Sequence, residues 1–219
     1  MKLWIVIYAI GAAQSALLAL ALWRRPADPA ANRLLAAWLA LVGLDLAIKS
    51  WFLAAPAVEL FKAYRFVALF PFLYGSLFYL YVRALTTGRR FASRDTVHLA
   101  GFALALATTA GTFLLDAETV SAAFARHQAG DWPPPGWWYD PFLFVYSLSY
   151  VIAAVVRLHR YRQWLRQRRS NVDRLSLRWI EALAIAQLLI WCIAATHWLI
   201  RWPWIDYFLI YGAVAAWVC

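Results

Sequence analysis

Apolar runs of around 20 residues recur along the whole chain, separated by short loops. At 1.5 Å per residue, about 20 helical residues cross a hydrocarbon core of about 30 Å. This repeated length constrains the fold more than any other feature, and it predicts an all-α membrane protein. Composition agrees: 64% of residues are hydrophobic and 15% charged, against roughly 45–50% and 25% in a soluble domain. Mean hydropathy is +0.60. Fourteen tryptophans and eleven tyrosines suit aromatic belts at two membrane interfaces.

Seven spans are predicted, at about Leu3–Trp23, Leu34–Leu53, Phe66–Leu85, Thr96–Leu115, Pro141–Val156, Leu177–Ile200 and Ile205–Cys219. They form a single domain over 1–219, a seven-transmembrane helix bundle. The last run holds only fifteen residues, short of the usual seventeen or more. The chain is therefore expected to be part of a longer protein. Leu3–Trp23 is read as a retained helix and not a signal peptide, because Arg24 and Arg25 follow the apolar run instead of preceding it. Gly11, Gln14 and Ser15 mark a packing face within it. Pro26 and Pro29 end it. Pro71 and Gly75 are positions where the third span can kink. Within 116–140, the first part is compatible with a short helix, and the proline run 133–135 is not. The fifth span continues as helix into the basic stretch, and Ser170-Asn171 cap the next helix.

Charge sets the predicted orientation. The stretch Arg157–Arg178 carries Arg157, Arg160, Arg162, Arg166, Arg168, Arg169, Arg174 and Arg178, with Asp173 as its only acid. With the loops around Arg24–Arg33 and Arg83–Arg94, one side of the bundle holds fifteen basic residues and the other five. Basic loops face the cytoplasm, which places the N-terminus outside and the C-terminus in the cytoplasm. The net charge of +10 is thus a topology signal. A nucleic-acid surface would need a soluble module to carry it, and direct nucleic-acid contact by this segment is not expected. The arginine stretch is read as a lipid-facing segment against anionic headgroups.

Candidate site residues are few. Asp45 and Lys49 lie one helical turn apart in the second span. Asp45 is roughly 16 Å deep, near the bilayer centre, where a charge is costly, so that it either faces the bundle interior or is protonated. It is either a ligand or coupling carboxylate or a polar clasp between helices. Lys49, nearer the surface, is expected to snorkel. Tyr74 and Tyr79 make the third span rich in phenols, with packing as the plainer role. His98 is a relay candidate or a hydrogen-bonded structural group. Trp137 and Trp138 belong to a loop that either lids an outward pocket or anchors at the headgroups. No HExxH, GxSxG or Walker A motif occurs. His127 and His197, with Asp131 or Asp206, are too few for a metal site. Cys192 and Cys219 sit in apolar runs and read as small hydrophobes. No cofactor, metal or catalytic residue is expected.

Several short stretches resemble the seven-helix membrane domain that precedes the DNA-binding module of some bacterial AraC-type transcriptional regulators. They are Asn32-Arg33-Leu34-Leu35, then Phe70-Pro71-Phe72-Leu73-Tyr74-Gly75 with Leu80-Tyr81-Val82-Arg83-Ala84-Leu85, His98, and Leu175-Ser176-Leu177-Arg178-Trp179. The resemblance covers most of the chain, which departs from the pattern in carrying no helix-turn-helix module. It implies a sensory domain of the bacterial inner membrane that binds a small molecule or reads the envelope state. The signal would pass through the last three helices to a cytoplasmic output domain or protein, with the arginine stretch as lever. A homodimer is compatible with this reading. The alternatives are a small transporter, which would show a polar path, and a membrane enzyme.

Overall fold

The computed structural model describes residues 2–130, 138–168, 174–200 and 207–218, with side chains at 166–168, 174–178, 207, 208 and 218 left out of the description. It is all-helical among the described residues. In chain order the helices are α1 (Lys2–Arg24), α2 (Pro29–Ala54), α3 (Val58–Val67), α4 (Pro71–Thr87), α5 (Ala100–Phe113), α6 (Ala117–Gln128), α7 (Tyr139–Arg168), α8 (Arg174–Ile200) and α9 (Tyr207–Val218). A 3-10 helix, Ser93–Leu99, leads into α5.

Among the described residues, six segments are long and apolar enough to cross a membrane: Lys2–Arg24, Pro29–Ala54, Val58–Thr87, Ser93–Phe113, Tyr139–Leu165 and Trp179–Ile200. The seventh expected span is represented by α9, whose 12 described residues make about 18 Å of helix. It packs on α1 and α8. Large apolar side chains on the outer faces are exposed, among them Leu17, Val145 and Leu199 at 68–71%. An exposed apolar surface of this kind suits lipid, not water. The architecture is compatible with a multi-pass membrane protein.

Local chemistry explains the breaks. Pro29 and Pro71 each stand in the first turn of a helix, where the missing N–H costs nothing. At Pro71 the third span divides into α3 and α4 across a tight turn, with Phe72 N–H bonded to Leu69 O and Leu73 N–H to Phe70 O. Gly88, at φ 65°, ends α4 in the left-handed conformation that glycine adopts without strain. Gly75 permits the closest approach of α4 to α7: a Cβ there would stand 2.7 Å from Ser147 O. Lys62 on α3 donates to Phe113 O and Leu115 O at 3.0 and 2.8 Å, placing a cation on the negative end of α5.

The main core lies between α1, α2, α4, α7, α8 and α9, around Trp38, Leu46, Phe78, Leu80 and Val151. Gly11 and Ser15 are buried on α1 and Gln14 is half-buried. The predicted short helix after the fourth span is α6, and α7 runs unbroken from Tyr139 through Arg157 and Arg160 to Arg168. The expected cap at Ser170-Asn171 and the proline run 133–135 lie outside the described residues.

Candidate functional site

Asp45 and Lys49 face inward from α2, which the i,i+4 spacing requires once one of them does. Asp45 is fully buried and Lys49 is 5% exposed. Lys49 Nζ donates to Asp45 Oδ1, and Tyr74 on α4 donates its phenol to Asp45 Oδ2 at 2.7 Å. The expectation that Lys49 snorkels is corrected: its ammonium turns along α2 to the carboxylate and lies 3.6 Å from the ring centre of Tyr211 on α9. In a low-dielectric interior this pairing outweighs the entropy of a free lysine tail. A cation over an aromatic face adds attraction. Tyr211 meets Tyr8 of α1 edge to face at 6.4 Å. Three helices thus converge on one lysine–aspartate pair.

The pair stands between two chambers. The larger, about 630 Å³, is lined by Lys49, Arg65, His127, Asp140 and the rings of Phe52, Tyr64, Phe113 and Tyr139, among others. It collects the C-terminal end of α2 with α3, α6 and the start of α7, the end of the bundle remote from the arginine-rich loops. The smaller, about 90 Å³, is lined by Tyr74, Gln187 and the indoles of Trp38, Trp191 and Trp217, with apolar side chains. Pro71, Asp140, Leu143 and Tyr211 border both. Asp45 lines neither chamber, but Lys49 faces the first and Tyr74 the second. The buried indole N–H groups of Trp38, Trp191 and Trp217 have no acceptor among the described residues. Unmet donors in an apolar interior are costly, and their presence favours a guest that brings an acceptor.

His127 adds to the larger chamber. Its ring sits 5.5–5.9 Å from those of Phe52, Phe61 and Tyr64. Burial, and after it the charge of Arg65, holds its imidazole below the ordinary range.

The remaining candidates fall elsewhere. His98 Nδ1 and Tyr150 OH are 3.0 Å apart, Tyr146 donates to His98 O at 2.6 Å, and Tyr79 stacks near both rings. This cluster joins α4, the 3-10 helix and α7 and does not border the two chambers. Trp138 packs on Tyr139 and Phe142, and Trp137 lies outside the described residues. In the arginine stretch, Arg157 Nε donates to Thr86 Oγ1 at 3.0 Å and Arg162 pairs with Glu181 at 2.5 Å. The side chains of Arg166, Arg168, Arg169, Arg174 and Arg178 are outside the description, and Arg160 is exposed. Cys192 is exposed and unpaired.

Sequence reasoning missed Tyr211, Arg65 and the three indoles as site components. It also missed a buried bidentate pair at the other end of the bundle, where Arg83 donates to Asp95 at 2.8 and 2.6 Å. No known family model, curated protein or solved structure matches the chain.

Proposed function

We propose that the chain is a receptor-like membrane domain without catalysis of its own, which binds a small ligand in the two adjoining chambers. The observation that carries this reading is the Asp45–Lys49–Tyr74 cluster, a buried carboxylate whose two partners, Lys49 and Tyr74, each face a different chamber. Lys49, Arg65 and the indole donors favour an aromatic or apolar molecule bearing a carboxylate or similar acceptor. A ligand that competes for Lys49 would loosen its hold on Asp45 and tighten or release Tyr74 on α4. Such a differential contact is what couples binding to a helix shift.

On this reading the chain has seven spans with its N-terminus outside, so the larger chamber opens to the outer face and the arginine-rich loops face the cytoplasm. The resemblance to AraC-type regulators supplies the proposed output, transcription regulation from a bacterial inner membrane. Transport is the second reading. It draws on the serial arrangement of the two chambers, and it requires flux of the ligand across sealed vesicles.

Binding is tested on purified protein with benzoate and phenylacetate against benzyl alcohol and benzylamine. Thermal stabilisation by the carboxylates alone is expected, and it increases in Asp45→Asn, which frees Lys49 for the guest, while the folded yield stays unchanged. Equal response to all four probes, or loss of folded Asp45→Asn, favours a structural clasp. A cytoplasmic reporter fused after Cys219 tests orientation, and activity only on the opposite side rejects it.

A further inference from the structure

A third cavity lies at the arginine-rich end, apart from the two chambers. It measures about 510 Å³ and runs between α4 and α7. Its α7 wall is one helical stripe: Ala153, Val156, Arg157, Arg160, Tyr161 and Trp164 recur at spacings of three and four. Along α7 the stripe passes from apolar to basic and ends on two amphipathic aromatics. The apolar-to-basic step matches the change from acyl chain to phosphate in a phospholipid.

The basic part is prepared for a phosphate. Arg157 spends its ε N–H on Thr86 Oγ1 at 3.0 Å. Thr86 in turn donates to Val82 O at 2.8 Å, which ties the contact to α4. The Arg157 guanidinium is thereby held at a fixed angle, and among the described residues its two terminal amino groups have no acceptor. Arg160 lines the same cavity one turn on. No residue lining it is acidic, so two guanidinium charges line the cavity with no carboxylate among the lining residues. Planar, charge-assisted donors of this kind suit a phosphodiester. Tyr161 and Trp164 stack at 6.0 Å and 17° beside them. Ile152 and Val156, 53% and 43% exposed, continue the apolar surface along α7.

We infer that the α4–α7 groove binds the phosphate headgroup of one anionic phospholipid, held by Arg157 and Arg160, with its acyl chains along Ile152 and Val156. Free phosphate shares the headgroup chemistry but would leave the apolar part of the stripe unused. The inference needs the chain to sit in a membrane and does not depend on what the two chambers bind.

The test uses the full chain in an uncharged detergent. Phosphatidylglycerol, phosphatidylcholine and inorganic phosphate are titrated while the melting temperature and the bound lipid by native mass spectrometry are followed. Saturable stabilisation by phosphatidylglycerol is expected, with one tightly bound lipid per chain. Arg160→Gln, which leaves the Arg157–Thr86 contact intact, weakens it by roughly tenfold, the value of one charge-assisted hydrogen bond. Arg157→Gln/Arg160→Gln abolishes it. Arg90→Gln/Arg94→Gln removes the same charge from the exposed loop and leaves binding unchanged. Equal loss in that control reduces the effect to diffuse surface attraction and overturns the site. Equal response to phosphatidylcholine rejects anionic selectivity. Equal affinity for inorganic phosphate rejects a lipid as the occupant. An unfolded double variant leaves Arg160→Gln as the deciding measurement.

Discussion

Two buried acid–base pairs sit at opposite ends of the bundle, and they are built differently. Asp95 is gripped on both oxygens by Arg83, receives the backbone N–H of Ala92 at 2.9 Å, and has Arg89 at 3.8 Å. These partners join α4 to the 3-10 helix that starts the next span, and they occupy both oxygens of the carboxylate. Asp45 is held by Lys49 of its own helix and by one phenol from α4. Lys49 faces a chamber and an aromatic ring. The first arrangement is a joint between elements. The second is a charge pair with an open side, whose grip can be redistributed by a guest. Burial of a carboxylate, common to both, therefore does not separate structure from function; what the base faces does.

The largest effect is expected at the joint. Asp95→Asn removes the acceptor geometry that Arg83 needs and leaves a guanidinium buried without a counter-charge. It is expected to lower the melting temperature more than any other single change named here, and to do so equally with and without ligand. A milder loss than at Asp45→Asn inverts the comparison.

Next comes Lys49→Met, which strands Asp45 with Tyr74 alone. Breaking a buried pair in this way costs about 3–5 kcal/mol. The double change Asp45→Leu/Lys49→Leu removes both charges, and such apolar replacements are often neutral or stabilising. Denaturation of the two variants is expected to show recovery in the double, while carboxylate binding is lost in both. Retained binding in the double removes the charge pair from the site. Tyr74→Phe is smaller. It deletes one hydrogen bond to a charged acceptor, about 1.5–3 kcal/mol, and should weaken the coupling of α4 to ligand more than ligand affinity itself.

This contrast also marks what the sequence could disclose. The spacing of Asp45 and Lys49 follows from 3.6 residues per turn, so their shared face was legible. So were the break at Pro71, the helix of α6 and the continuation of α7 into Arg157 and Arg160, because proline chemistry and apolar periodicity are local. Tyr74, Tyr211 and Asp95 were not legible as partners. Their contacts depend on how helices rotate and pack, and an almost uniformly apolar helix such as α2 carries little periodicity to report that rotation. Lys49 illustrates the limit: depth alone argued for snorkelling, and the nearby carboxylate decided otherwise. The three indoles read as belt residues in the sequence, and only packing gathers them around one chamber.

The smallest effect concerns the rim of the larger chamber, where neither pair is involved. His127 lies in the last turn of α6, a position whose helix dipole favours a cation. Burial among Phe52, Phe61 and Tyr64, with the Arg65 charge, wins and lowers its pKa. The folded state thus prefers the neutral ring. A depressed histidine contributes stability that is present above its unfolded pKa of about 6.5 and is lost as pH falls below that value. Acidification is therefore expected to loosen α6 from α2 and α3. Amide hydrogen exchange, corrected for its intrinsic pH dependence, should show faster opening of 117–128 at pH 5 than at pH 7, with the Arg83–Asp95 joint unchanged. His127→Gln cannot titrate and should flatten the difference. A pH response that persists in this variant moves the sensitivity to another group and leaves the rim of the chamber indifferent to protonation.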